Sequence, residues 1–183
     1  MAYTQLADYP ADIRERAARV RLACFDVDGT LTDGRLWIDE QGRELKAFHI
    51  LDGMGLRLLE KHGVRVALMT ARKSAATEAR GRELGLEEIH IAVKDKRALL
   101  LSLCNKYSVQ PEQVAMMGDD LVDLGALQVA GLAVAPANAH GWVKERVHWR
   151  TRAAGGEGAA RELCDLILGA QGKAEAILAE FLR

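Results

Sequence analysis

Short apolar runs occupy residues 22–27, 64–69, 89–93, 114–117 and 132–134. Each is too short for a helix, which is the pattern of strands buried on both faces of a parallel sheet. Between them, residues 55–62, 74–84, 96–107 and 121–129 show helical spacing, and Gly63, Gly85 and Gly131 stand where helices stop. Strand then helix, repeated, predicts an α/β fold built on a Rossmann-like, doubly wound parallel sheet. Residues 161–168 and 174–182 read as two closing helices joined by a Gly-Ala-Gln-Gly hinge, the second forming a C-terminal helical tail over about 173–183.

Residues 35–48 break this rhythm. Leu36-Trp37-Ile38 and Leu45-Lys46-Ala47-Phe48 flank the turn-forming Asp39-Glu40-Gln41-Gly42, which predicts a protruding β-hairpin inserted after the first strand. An isolated hairpin is marginal in water. This one carries Trp37, Ile38 and Phe48, so it is expected to pair with hairpins from other copies of the chain.

Composition narrows the partners. The 183 residues fit a single domain over 1–183, and 49% hydrophobic with 28% charged residues supports a sizeable core. A net charge of -1 and 5% aromatic residues argue against nucleic acid, because neither a basic field nor a stacking surface is present. Cys24, Cys104 and Cys164 form no CxxC pair and sit among apolar neighbours, which suits buried, reduced thiols in a cytoplasmic protein. The first 23 residues mix charges into their apolar positions and read as neither a signal peptide nor a membrane span.

The chemistry gathers at strand ends. The first strand closes on Phe25-Asp26-Val27-Asp28-Gly29-Thr30, where an extended chain would project Asp26 and Asp28 to one side. An Asp-Gly pair also makes a simple turn, so this motif does not decide alone. The fourth strand closes on Gly118-Asp119-Asp120, with Asp123 three residues on. Carboxylates crowded at one sheet edge repel unless a hard divalent cation holds them ionised, and magnesium suits an all-oxygen site that shares its shell with phosphate. Asp120 and Asp123 fit equally well as acids decorating a helix N-terminus. The second strand ends in Met69-Thr70-Ala71-Arg72, and Lys94-Asp95-Lys96-Arg97 follows the third. A hydroxyl and an ammonium there can hold the non-transferring oxygens of a phosphoryl group.

At these residues the chain resembles the haloacid dehalogenase superfamily of phosphohydrolases, over about residues 21–171. The resemblance implies that Asp26 is the nucleophile and forms an aspartyl-phosphate, while Asp28 protonates the leaving alcohol and later activates water. It implies Thr70 and Lys96 as the remaining catalytic pair, and Mg2+ held by the Asp26 carboxylate, the Asp28 backbone carbonyl and Asp119. Only 40 residues separate Thr30 from Thr70 and 26 separate Thr70 from Lys96, which leaves no room for a cap domain.

This capless form is similar to the 3-deoxy-D-manno-octulosonate 8-phosphate phosphatases. Matches include Phe48-His49-Ile50-Leu51-Asp52-Gly53, Val93-Lys94-Asp95-Lys96, Gly118-Asp119-Asp120-Leu121-Val122-Asp123 and Gly155-Gly156-Glu157-Gly158-Ala159-Ala160-Arg161-Glu162. The likeness implies release of phosphate from that sugar acid phosphate in lipopolysaccharide precursor synthesis, by a cytoplasmic homotetramer with shared active sites. It implies substrate contacts at His49, Ile50, Leu51, Asp52, Gly53, Arg57, Arg72, Arg80 and Lys96. Arginine forks suit both a carboxylate and a phosphate, although Arg57 and Arg80 also fit as ordinary helix residues. Ala71 stands where many relatives have Gly, and Glu157 where a basic residue is common. His140 and His148 lack partners at ligand spacing and read as structural.

A phosphatase for a nine-carbon sialic-acid-like 9-phosphate would share every catalytic residue. A non-enzymatic phospho-receiver module also combines acids, a hydroxyl and a lysine on a parallel sheet, but its lysine comes last, whereas here Lys96 precedes Asp119. A dinucleotide-binding enzyme lacks support, since no Gly-x-Gly-x-x-Gly follows the first strand.

Overall fold

A computed structural model of the chain describes residues 6–182. Six parallel strands form one sheet: β1 (Leu22–Phe25), β4 (Arg65–Met69), β5 (Glu88–His90), β6 (Val114–Met117), β7 (Leu132–Ala135) and β8 (Trp149–Arg150). Their spatial order is β5-β4-β1-β6-β7-β8, so the chain winds outward from β1 in both directions and the topology reverses there. The ends of β1 and its neighbours at that reversal are where such sheets bind ligands.

The central strands are buried, apart from Arg65 at the start of β4, because helices cover both faces. Strand alternation divides them cleanly. Ala23, Phe25, Val66, Leu68, Ala115 and Met117 face one helical layer, formed by α1 (Ala11–Ala18), α2 (Ile50–Lys61) and α7 (Ala159–Ala170). Leu22, Cys24, Ala67, Met69, Val114 and Met116 face the other, formed by α4 (Lys96–Tyr107), α5 (Leu124–Leu127) and α6 (Gly141–Lys144). Two more helices, α3 (Ala75–Glu83) and α8 (Ala174–Phe181), complete the described residues. Cys24, Cys104 and Cys164 are all buried and free, and no described helix is long and apolar enough to cross a membrane.

Three differences from the sequence reading have local causes. The sixth strand is only Trp149–Arg150 and sits among polar residues, so it leaves no apolar run. The stretch 121–129 is not one helix: Asp120 and Asp123 cap a 3-10 turn at Leu121–Asp123, and α5 starts only afterwards. The helix α1 was hidden because it turns only Ile13 and Ala17 into the core.

The expected hairpin is present, with shorter strands. Trp37 pairs with Leu45 and Ile38 with Glu44 in β2 (Trp37–Ile38) and β3 (Glu44–Leu45). The Asp39 carboxylate organises its turn by accepting from the amides of Gln41 and Arg43, and Gly42 takes φ 75.

At the far edge of the sheet, the buried Glu88 accepts from Lys106, Tyr107 and the His90 ring, joining β5 to the end of α4. Burial works against its ionised form, but those hydrogen bonds outweigh it and hold its pKa at about 2, below the ordinary 4.5. The exposed Lys106 keeps the gain modest, so Glu88→Gln is expected to cost about 1–2 kcal/mol near neutral pH. The stabilisation from this depressed carboxyl is complete above pH 4.5 and fades as pH falls towards 2. Urea unfolding of both proteins across that range should therefore show the gap closing; a gap that stays constant would refute the assignment.

Candidate active site

Because all six strands are parallel, the residues that follow β1, β4, β5 and β6 emerge at one edge of the sheet. Asp26 follows β1 directly, and its amide extends the ladder by one bond to the Met117 carbonyl, 2.9 Å away. The strict alternation expected to align Asp26 with Asp28 does not continue past Phe25. The Val27 carbonyl accepts from the amides of Leu31 and Thr32, which curls the chain and gives the two aspartates different partners.

Asp26 is 5% exposed and pairs with the Lys96 ammonium, which also pairs with Asp123. Lys96 is the first residue of α4, placed there by the Asp95 side chain, which accepts from the Ala98 amide at the helix start. Asp119 follows β6 and accepts from the Thr30 hydroxyl at 3.0 Å. Asp123 is completely buried, and its Oδ2 accepts from the amides of Asp119 and Asp120 at 3.1 and 3.2 Å. The sequence left Asp123 open between a helix cap and the site; its burial and its ion pair to Lys96 place it in the site. Asp120 instead caps the turn through the Leu121 amide.

Oxygens of Asp26, Asp119 and Asp123 lie within 4.8 Å of one another. This approaches the roughly 4 Å that spans an octahedral magnesium shell. Three carboxylates against one ammonium leave a formal charge of -2, which a divalent cation matches. Burial first, then the charge of Asp123, push the Asp26 carboxyl well above the carboxylate range despite Lys96. Burial likewise raises Asp119 to about 6. Without a cation the group is therefore strained towards protonation, the behaviour of a metal site built from desolvated acids. Lys96 itself is held above the usual lysine range, because Asp26 and Asp123 outweigh the opposing effect of burial.

Asp28 faces elsewhere. Its Oδ2 accepts from the Thr70 hydroxyl at 2.9 Å, and its Oδ1 pairs with the Lys46 ammonium from the hairpin. Thr70 is buried and does not cap α3, a task performed by Ser74. The sequence reading missed Lys46, and with it Glu44, whose carboxylate binds Lys46 at 2.9 Å, Arg72 at 2.7 Å and Ser74 at 2.9 Å. The available signal was alternation: Glu44 and Lys46 share one side of a strand, and Leu45 between them is 62% exposed.

The implied substrate positions divide. Ile50 and Leu51 are exposed at the start of α2, and His49 is its N-cap residue. Phe48, His49, Asp52, Gly53 and Arg80 line one small recess, in which His49 Nδ1 and Asp52 Oδ2 are buried with no hydrogen-bond partner among the described residues. Asp52 turns inward and is 2% exposed. Its Oδ1 accepts from the Arg161 amide at 2.7 Å, tying α2 to the first turn of α7, and burial raises its pKa. Gly53 is also buried, with the Arg80 guanidinium packed against it. Arg80 lies over the Phe48 ring and pairs with Glu83, Arg72 pairs with Glu44, and Arg57 is exposed on α2.

Close approach explains two glycines. At Gly29, with φ +94, a Cβ would lie 2.1 Å from an Asp119 oxygen, and at Gly118 one would lie 2.5 Å from the Asp123 carboxyl carbon. Asn138 adds a brace that the sequence did not reveal: it donates to the Gly29 carbonyl at 3.1 Å and accepts from the Gly155 amide at 2.7 Å. His140 and His148 both serve the backbone, accepting from the amides of Trp142 and Ala133.

Comparison with known proteins agrees with this geometry. Residues 54–131 match the haloacid dehalogenase-like hydrolase family. The chain is 43% identical to the 3-deoxy-D-manno-octulosonate 8-phosphate phosphatase KdsC of Yersinia pestis, over 94% of this chain and 91% of that protein. The chain belongs to this phosphatase family. Among solved structures, a hypothetical protein from Xanthomonas campestris superposes with a TM-score of 0.95 at 60% identity, covering 99% of each chain. The Moraxella catarrhalis family member, solved with magnesium, phosphate and a KDO molecule, superposes with a TM-score of 0.92 at 36% identity, covering 94% of this chain and 99% of that one.

A divalent cation should stabilise the fold through these acids. Saturating magnesium is expected to raise the melting temperature of the wild type by several degrees. Asp119→Asn should lose that shift while melting no lower than the wild type without cation, since it removes one of the crowded charges. An undiminished shift in the variant would refute the ligand role of Asp119.

Proposed function

We propose that this chain is a magnesium-dependent phosphatase that releases phosphate from 3-deoxy-D-manno-octulosonate 8-phosphate. The observation that carries this reading is the pair of aspartates closing β1, one set against Lys96 and the acidic cluster, the other against Thr70 and Lys46. The family relatives and the magnesium, phosphate and KDO bound by the Moraxella catarrhalis protein supply the substrate class.

Asp26 is the nucleophile: one carboxylate oxygen forms a bond to phosphorus as the bond to the sugar oxygen breaks. Asp28 gives its proton to that departing oxygen, so the sugar leaves as an alcohol. In the second half, Asp28 takes a proton from water, the water oxygen bonds to phosphorus, and the Asp26 acyl phosphate breaks to free inorganic phosphate. Thr70 and Lys96 bind the non-transferring phosphoryl oxygens, and the Lys96 ammonium opposes the protonation that burial and Asp123 favour at Asp26. The carboxylates of Asp26 and Asp119 with the backbone carbonyl of Asp28 would hold magnesium, with Asp123 as the buried partner of Lys96. Bound there, magnesium supplies positive charge against the phosphoryl oxygens.

His49, Ile50 and Leu51 offer the substrate-facing start of α2, and Arg72 a fork for the sugar acid carboxylate. A set of sugar acid phosphates of eight and nine carbons, with hexose phosphates as controls, tests the substrate. The eight-carbon acid phosphate should lead the hexose phosphates in kcat/KM by at least about 100-fold, the scale of a buried charged contact. Asp26→Asn should lower kcat by 10³-fold or more with the melting temperature retained. Preference for hexose phosphates would overturn the substrate, and residual turnover near wild type would overturn the nucleophile.

The same proposal includes a cytoplasmic homotetramer in which hairpins assemble. Its support is apolar surface left open on the hairpin of the single chain: Trp37 is 58% exposed, and Leu36, Ile38 and Leu45 are exposed as well. The molar mass by light scattering at micromolar concentration should be that of four chains, and Trp37→Asp should lower it. A monomeric wild type would refute the assembly.

A further inference from the structure

The hairpin turns a charged edge inward, where it engages the proposed acid of the reaction. The Lys46 side chain is 2% exposed and bridges Asp28 Oδ1 to Glu44 Oε1. Glu44 in turn anchors to the loop after β4 through Arg72 and Ser74. Thr70, in that same loop, holds the other oxygen of Asp28. Both oxygens of Asp28 are thus held by donors from two different segments, and the segments are bound to each other through Glu44.

We infer that Lys46 is a positioning residue for Asp28, so that the hairpin serves the active site of its own chain. A carboxyl group on a curled loop can rotate about two side-chain bonds. One hydroxyl restrains one oxygen and leaves the plane of the group free to swing; a second donor on the other oxygen fixes that plane. Proton transfer to the departing sugar oxygen depends on that orientation, because a misplacement of about 1 Å can cost 100-fold in rate. Glu44 gives Lys46 a second acceptor and keeps its ammonium at this place rather than in solvent. Lys46 touches neither the nucleophile nor the acidic cluster among the described contacts, so its effect runs through Asp28.

This inference rests on the phosphatase reading, and the test separates the two. On the best phosphomonoester substrate, Lys46→Met is expected to lower kcat about 10- to 100-fold while KM stays within about threefold. Lys46→Gln retains a donor of nearly the same reach and should recover part of the loss. In an Asp28→Asn background, Lys46→Met should cost less than about twofold more, because the group it positions is gone. A purely structural role would give losses that add across the two sites and follow the melting temperature. Wild-type kcat in Lys46→Met beside a crippled Asp28→Asn would overturn the inference alone, as would a raised KM at constant kcat or an undiminished loss in the Asp28→Asn background. If Lys46→Met melts without cooperativity, Lys46→Gln carries the same criteria at reduced amplitude. No phosphate release by the wild type would refute the phosphatase reading itself.

Discussion

Three carboxylates share a water-poor volume at the end of β1 with a single ammonium between them. Burying like charges so close is costly, and the raised carboxyls of Asp26 and Asp119 express that cost. Much of the local structure serves this one arrangement. α4 begins at Lys96, so that its first side chain reaches between Asp26 and Asp123. Gly118 lets Asp123 fold back onto the end of β6, and Gly29 lets the β1 loop meet Asp119. Thr30 and two backbone amides supply hydrogen bonds that partly replace water. The parallel sheet makes this possible, since it delivers four strand ends to one edge, and its apolar core holds them there without help from the site.

The hairpin shows how one short insertion can satisfy two demands. Its inward side carries Glu44 and Lys46, and its outward side carries Trp37 and Leu45, the pair in register across the two strands. A two-stranded ribbon has too little apolar area to hold itself together. Here the ion pairs of Glu44 and Lys46 fasten it to the β4 loop and to Asp28. The Lys46 pairs are largely shielded, unlike exposed pairs that contribute little, whereas Arg72 remains partly open to solvent. The polar edge therefore sets the position of the ribbon, and the apolar face remains available for assembly. Fastening and assembly reinforce each other: a ribbon held at a defined angle presents a defined face.

What the sequence made legible follows from burial. The apolar strands β1, β4, β6 and β7 were plain because covering both faces of a sheet demands such runs, whereas the edge strand β5, Glu88–His90, overlaps the apolar 89–93 run only in part. Trp149–Arg150 escaped because a two-residue edge strand imposes no such demand. The convergence of Asp-x-Asp, Thr, Lys and Asp-Asp was readable because consecutive strand ends of one parallel sheet meet at one edge. Asp123 was not decidable, since an acid at a helix start looks the same whether it faces solvent or lies beneath a lysine; only its complete burial separates the two. The direction of Asp52 was hidden for a related reason, since its motif says nothing about which way the side chain turns, and the Arg161 amide of α7 claims one of its oxygens. Lys46 and Glu44 were hidden in a segment whose apolar residues drew attention to assembly, although charges two apart on a strand signal a shared face.

The contrast between Asp26 and Asp28 is the clearest case of two identical residues given unlike surroundings. The two residues have the same chemistry and stand two positions apart, yet the curl after Phe25 sends them to different neighbours. Asp26 lies against Lys96 and the other acids, where the ammonium only partly offsets the burial and negative charge that raise its carboxyl. Asp28 lies between a hydroxyl and a hairpin ammonium, away from the acidic cluster, where proton exchange with a leaving group or water does not compete with cation binding. Pairs of acids held in unlike surroundings are how one site performs nucleophilic and acid-base chemistry together. In this chain the separation depends on the hairpin as much as on the sheet, because without Lys46 one oxygen of Asp28 would be free to turn. The hairpin of this chain therefore reaches into the surroundings of Asp28 from within the same chain.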